Sequence, residues 1–79
     1  MRYVAESRLP PEEIVAKATS CFGEGGIGLE KSSQTSCCVH FVGGGGYVTV
    51  GAAEVEGKTE VELETIEWDH QVEKFMQEL

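Results

Sequence analysis

Residues 36–68 read S-C-C-V-H-F-V-G-G-G-G-Y-V-T-V-G-A-A-E-V-E-G-K-T-E-V-E-L-E-T-I-E-W. Two turn signals divide this stretch into three extended runs. Glu56-Gly57 predicts a two-residue hairpin loop, because glycine readily adopts the positive φ that such a loop needs. This loop pairs Val55 with Lys58 and sets the register of the two strands it joins. The four glycines at 43–46 predict the other hairpin, and their centre sets the second register.

Side chains alternate along a strand with period 2, so the two turns also decide which residues share a sheet face. The first face is almost wholly apolar and collects Cys37, Val39, Phe41, Val48, Val50, Ala52, Val61, Leu63 and Thr65. The opposite, outer face collects Cys38, His40, Val42, Tyr47, Thr49, Gly51, Ala53, Glu60, Glu62, Glu64 and Ile66. Because two independent turns agree on one apolar face, the stretch predicts an antiparallel meander.

Outside the meander, the chain predicts one strand and two amphipathic helices. Residues 2–9 form a moderately apolar first strand, whose place in the sheet the sequence leaves undecided, and residues 29–36 are either an extended lead-in or a surface loop. Pro10-Pro11-Glu12-Glu13 opens the first helix, since proline and acidic residues suit the first turn. Asp69 is predicted to cap the last helix. The apolar stripes of the two helices are Ile14, Ala18, Cys21 and Phe22, and Val72, Phe75, Met76 and Leu79.

The fold predicted is therefore a single α+β domain over residues 1–79. Its element order is β-α-β-β-β-α, with an antiparallel meander and two helices packed on one sheet face in a two-layer arrangement. In element order, the opening strand, the P-P-E-E helix, the meander and the final helix resemble a shortened helix-grip fold, as in START-like ligand-binding domains. The resemblance implies a pocket for a small ligand and identifies no residue that lines it.

Composition and charge exclude several classes of partner. The 79 residues are 41% hydrophobic and 25% charged, as in ordinary globular proteins. The net charge of −8 comes with no basic stripe to neutralise phosphates, so we expect neither nucleic acid nor an anionic membrane as a partner. No apolar run approaches the ~20 residues of a membrane span, and the N-terminus lacks a signal-peptide core, which leads us to expect a cytoplasmic protein.

No motif in the chain indicates an enzyme. Residues 23–28, G-E-G-G-I-G, match G-x-G-x-x-G letter for letter. A dinucleotide site needs a strand before this motif and a helix after it, whereas here a helix precedes and extended sequence follows. We therefore interpret these glycines as a helix-to-strand connector, and we predict no catalytic residue and no cofactor.

Cys38 and His40 are the chain's candidate metal ligands. They lie two residues apart on one strand and on its outer face, and a thiolate with an imidazole suits Zn²⁺. The alternation places Cys37 on the other face. One chain therefore supplies only two ligands, and two copies meeting face to face would be needed for a tetrahedral set. The alternative interpretation is a small apolar residue beside a polar residue at the rim of an interface.

The favoured function is a non-enzymatic interaction module that acts as a homodimer. A domain of this size buries a thin core, which favours oligomerisation, and one helix layer leaves the outer sheet face uncovered. Small residues in a central strand allow another backbone to approach closely. The predicted interface residues are Val42, Tyr47, Thr49, Gly51 and Ile66.

A small apolar ligand between the sheet and the C-terminal helix is the alternative function. Its predicted lining is Phe41, Leu63, Trp68, Phe75 and Met76. The same residues would also serve as ordinary core.

Overall fold

The computed structural model describes residues 1–79 and has an α+β fold, which confirms the predicted class. Five strands and two helices follow one another along the chain: β1 (Arg2–Ser7), α1 (Pro11–Phe22), β2 (Glu30–Gln34), β3 (Cys38–Gly43), β4 (Gly46–Val55), β5 (Lys58–Ile66) and α2 (Asp69–Met76). The strands form one antiparallel sheet in the order β1-β5-β4-β3-β2.

The registers of both hairpins agree with those the turns predict. Val55 lies opposite Lys58 across the β4–β5 turn, and Phe41 lies opposite Val48 across the β3–β4 turn. Glu56 and Gly57 have φ of 51° and 81°, the positive values of a tight two-residue loop. The alternation of buried and exposed residues along β5 follows directly from this register.

Strand β2 is absent from the predicted element order and brings the number of strands to five. Residues 29–36 carried two interpretations, and Glu30–Gln34 is in fact an edge strand paired with β3. All five of its residues are exposed. A strand with no buried side leaves no alternation of apolar and polar residues in the sequence. A register shift between Lys31 and Ser33 interrupts its pairing, and such bulges are common at sheet edges.

The first strand, whose position the sequence left undecided, pairs antiparallel with β5 and forms the other edge of the sheet. Its pairing sets Val4 opposite Glu62, so Val4 lies on the outer face. β1 therefore pairs with a strand that lies about 60 residues further along the chain, as the Arg2–Glu62 contact illustrates.

Both helices cover the same face of the sheet and enclose one core. The buried apolar residues are Ile14, Val15, Ala18, Phe22, Leu29, Val39, Phe41, Val48, Val50, Ala52, Val61, Leu63, Val72 and Phe75. Phe22 at the end of α1 joins the layers, because its ring centroid lies 6.0 Å from that of Phe41 and 5.3 Å from that of Phe75. Neither helix has the length and apolar character needed to cross a membrane.

Asp69 does not cap α2, which corrects the prediction. Trp68 is the N-cap residue and no side chain caps the helix. Asp69 is instead the first helical residue, and its Oδ1 accepts a hydrogen bond from the Tyr3 hydroxyl at 3.0 Å. Tyr3, which donates this hydrogen bond in place of a backbone N–H of α2, belongs to β1, and the sequence did not reveal that β1 lies next to β5. The negative charge of Asp69 in the first turn still interacts favourably with the positive end of the helix dipole.

Candidate functional site

The outer face of the sheet lies opposite the helices and is not covered by any other element of the chain. Four of its strands divide into two halves of different chemistry, and the edge strand β2 adds Glu30 beside Val42 and Ser33 beside His40. On β3 and β4 its residues are Cys38, His40, Val42, Tyr47, Thr49, Gly51, Ala53 and Val55, with no acidic, lysine or arginine side chain among them. On β1 and β5 it carries Arg2, Val4, Glu6, Lys58, Glu60, Glu62, Glu64 and Ile66. We call these the uncharged half and the charged half.

Apolar side chains on the strands are exposed only on this face. Val4, Val55 and Ile66 are 60%, 51% and 50% exposed, and all three belong to the outer face. The five residues predicted from the sequence as an interface also lie on this face, at outer positions of β3, β4 and β5. All of them except Ile66 are half-buried within the chain. The geometry therefore brings the predicted interface residues together, while their role stays a prediction.

Tyr47 organises the end of this face nearest the tetraglycine turn. Its ring stacks on His40 with centroids 5.6 Å apart and planes 29° apart. Its hydroxyl donates a hydrogen bond of 2.6 Å to Glu64 Oε2, and this bond raises the pKa of Tyr47. Thr49 Oγ1 lies 2.5 Å from His40 Nδ1. These contacts fix the positions of the Tyr47 and His40 side chains on the uncharged half.

Two of the four carboxylates of the charged half have a partner within the chain. Arg2 forms an ion pair with Glu62 at 2.8 Å, and Glu64 accepts the Tyr47 hydrogen bond. Glu60 and Glu6 lie directly opposite each other with no base between them. A row of solvated carboxylates of this kind favours contact with water over contact with another protein surface.

The predicted Cys38–His40 pair is not the closest pair of metal-binding groups. His40 contacts Thr49 and stacks on Tyr47, and Tyr47 lies opposite Val42, on the side of His40 away from Cys38. No three His, Cys, Asp or Glu side chains converge on a point within one chain. A zinc site completed by a second copy therefore stays a prediction.

Cys37 corrects the prediction that it points away from Cys38. Strand β3 begins only at Cys38, so strand alternation does not extend to Cys37, which is exposed rather than on the inner face. The two sulfur atoms are 3.6 Å apart. Thr35, which precedes the bend, accepts hydrogen bonds at its Oγ1 from the backbone N–H of Cys37 and of Cys38, at 3.4 and 3.1 Å. The bend that these bonds hold turns both thiols to one side.

Three of the five residues predicted to line a ligand pocket belong to the packed core. Phe41, Leu63 and Phe75 are at most 2% exposed. Trp68 packs across the tetraglycine turn, where its Nε1 donates a hydrogen bond of 3.1 Å to the carbonyl oxygen of Gly43. The structure does not gather the five around one cavity between the sheet and α2, because tight packing occupies that space.

A cleft does lie elsewhere, along α1 where α2 ends. It measures about 580 Å³ and is lined by Leu9, Glu13, Ala16, Lys17, Ser20, Cys21, Phe75 and Glu78. Burial raises the pKa of the Cys21 thiol in its wall, as does nearby Glu78. A second cleft of about 660 Å³ shares three of these residues and is lined by Glu6, Ser7, Arg8, Leu9, Lys17, Lys58, Glu78 and Leu79.

Three of the chain's six bases line these two clefts. Arg8, Lys17 and Lys58 form no ion pair, since the ion pairs of the chain are those of Met1 with Asp69 and of Arg2 with Glu62. The same linings hold as many acidic residues, Glu6, Glu13 and Glu78, so the clefts are less acidic than the chain as a whole, whose net charge is −8. Sequence reasoning missed these clefts, because the three bases come from a loop, a helix and a strand that only the fold brings together.

Comparison of the chain with protein-family models, with curated proteins and with solved structures found no significant match.

Proposed function

We propose that this protein is a non-enzymatic interaction module that forms a homodimer through the outer sheet face, with the uncharged half at the centre of the contact. The observation that carries the proposal is the separation of charge on that face. All eight outer positions of β3 and β4 lack acidic, lysine and arginine side chains, although a quarter of the chain's residues are charged.

Charge separation of this kind suits a two-fold interface. Interfaces between proteins have an apolar centre depleted of charge and a polar rim that stays in contact with water. In a two-fold contact centred on β3 and β4, the β5 carboxylates of each copy fall on opposite flanks and remain hydrated. Two-fold dimers are the commonest closed assemblies, and a second copy offers the same uncharged surface.

Small side chains at the centre allow the two sheets to approach. Gly51 and Ala53 lie on β4, and a Cβ added at Gly51 would meet only the Cys38 sulfur, at 3.5 Å. Tyr47 and Ile66 lie opposite each other and supply the apolar area beside them. Burying such area stabilises association by about 25 cal/mol per Å² before the costs of binding are subtracted.

Tyr47→Glu is expected to convert the dimer to a monomer. The substitution removes the largest apolar side chain of the uncharged half and places a carboxylate in each of two facing copies, where burial of unpaired charge is costly. Sedimentation velocity at micromolar concentration measures the change. Circular dichroism of the variant checks that the fold persists.

Val4→Glu is the matched control, because Val4 lies on the same face but in the charged half. We expect this variant to sediment as the wild type does. We also expect salt to strengthen the wild-type dimer, since screening reduces the repulsion between two chains of net charge −8. A wild-type protein that sediments as a monomer, or equal dissociation by the two variants, contradicts the proposal.

A second candidate function is the binding of an apolar carboxylate in the clefts beside α1. The apolar lining includes Leu9, Ala16 and Phe75, which suit a hydrocarbon chain. The unpaired bases Lys17 and Arg8 lie within reach of a carboxylate at the adjoining mouth. The ligand site moves from the predicted space under α2 to the outer side of the helix layer.

Decanoate is expected to bind more tightly than decanol, which has the same chain length and no charge. Lys17→Ala should weaken decanoate binding about 3- to 5-fold, the effect of losing one exposed ion pair, and should leave decanol unaffected. Lys74→Ala removes a base of α2 that lines neither cleft and serves as the control. Calorimetric titration of both ligands into the wild type and the two variants measures these differences, and equal binding of the acid and the alcohol contradicts this function.

A further inference from the structure

The bend between β2 and β3 holds two neighbouring thiols on one side of the chain. Thr35 N–H donates to the carbonyl oxygen of Cys38 at 2.7 Å, and the Thr35 hydroxyl oxygen accepts the N–H groups of both cysteines. Ala52 on β4 donates to the carbonyl oxygen of Cys37 at 2.8 Å. The peptide unit between the two cysteines is therefore held by hydrogen bonds on both sides. The backbone that carries the two sulfurs, which are 3.6 Å apart, is thus fixed in position.

This distance fits two thiolates on one metal ion. A tetrahedral ion with metal–sulfur bonds of about 2.3 Å places its sulfur ligands about 3.8 Å apart. Both cysteines are exposed, so an ion reaches them without any change of fold. Cys37 and Cys38 need only a small rotation of their side chains to meet this requirement.

A disulfide between the same residues suits the geometry less well. A disulfide needs its sulfurs about 2.05 Å apart and usually joins residues with Cα atoms about 4.4–6.8 Å apart, whereas neighbouring residues in a trans chain have Cα atoms only about 3.8 Å apart. No peptide bond in this chain is cis. A bridging metal ion replaces the S–S bond by two longer sulfur–metal bonds and enlarges the ring by one atom, which removes the conflict.

We propose that Cys37 and Cys38 form a chelating dithiol that binds one thiophilic cation of the Zn²⁺ and Cd²⁺ class through both sulfurs. As each sulfur–metal bond forms, the thiol releases its proton to solvent and a water ligand leaves the metal. The remaining positions on the ion keep their water. Both sulfurs come from one chain, so the site needs no second copy, and Cys38 lies where β3 begins, at one end of the proposed dimer contact.

Cadmium is the probe for the test, because thiolate-to-cadmium charge transfer gives an ultraviolet absorption band that reports sulfur ligation directly. Titration of reduced protein without oxygen is expected to reach one Cd²⁺ per chain, with the same stoichiometry by native mass spectrometry. Cys37→Ser and Cys38→Ser should each weaken binding by at least about 100-fold, as expected when one of two anionic ligands is lost.

Cys21→Ser and His40→Ala are the controls, and both should bind Cd²⁺ as the wild type does. If His40→Ala abolishes binding while Cys37→Ser retains it, the ion uses the Cys38–His40 pair and the dithiol proposal is wrong. Binding that survives both single serine substitutions also overturns it. Phenylarsine oxide gives an independent readout, because its trivalent arsenic condenses with two thiols and releases one water, and we expect one adduct per wild-type chain and none in either serine variant.

Discussion

Replacing Phe22 by alanine is expected to lower the free energy of unfolding by about 3–5 kcal/mol. Phe22 is fully buried at the end of α1, and its ring packs against Phe41 from the sheet and Phe75 from α2. Phe22 is the one residue that both phenylalanine ring pairs share. A domain of this size has a total stability of about 4–12 kcal/mol, so the loss is a large part of the whole.

Urea denaturation followed by circular dichroism measures this loss. Cys21→Ala is the matched control, because Cys21 precedes Phe22 in the same helix and is only half-buried. We expect it to change the stability by about 1 kcal/mol or less. Similar losses in the two variants would show that the helix end, rather than the aromatic contact, determines the stability of the core.

Replacing Gly46 by alanine is expected to cost about 3 kcal/mol, at the upper end of the usual range for overpacking. A Cβ at this position would overlap the carbonyl oxygen of Ile66 and lie 2.7 Å from the Cβ of Glu67. The obstacle is backbone, which cannot rotate aside as a flexible side chain does. Glu67 itself has a φ of 80°, because the chain turns sharply there to start α2 against this close contact.

Gly45→Ala is the control from the same turn. Gly45 has a φ of 84° and open space where a Cβ would point, so alanine there should cost only the left-handed backbone penalty of about 1–2 kcal/mol. Thermal unfolding of the two variants compares a steric clash with a conformational penalty. If Gly45→Ala is the more damaging, close contact between β4 and the β5–α2 corner is not what excludes a side chain at Gly46.

The sequence was sufficient to predict the two hairpins because their registers depend on local turns. Glu56-Gly57 admits one pairing of β4 with β5, and the alternation of apolar residues confirms it over several positions. The inner face was correct on β4 and β5 for the same reason. The uncharged half of the outer face followed from these registers as well, since it lies wholly on the two strands that share the tetraglycine turn.

Features that depend on distant or one-sided contacts escaped prediction. The residues of β2 are all exposed and give no periodic signal, and β1 is placed by its pairing with a strand near the other end of the chain. Cys37 was assigned to the wrong side because the strand starts one residue later than the alternation assumed. A signal for the bend was present: Thr35 two residues before Cys37 is a typical side-chain acceptor for a turn.

The strand order has a consequence for how the chain folds during synthesis. β1 is made first, yet its partner β5 begins at Lys58. At about 5–20 residues per second, the ribosome needs several seconds to deliver that partner. During this time α1 forms first, and the β3–β4 hairpin can pack on it once Val55 has been added, while Tyr3 and Val4 remain without a neighbouring strand. Closing the sheet at β1 is therefore a slow kind of step, because it brings distant parts of the chain together after local structure has formed.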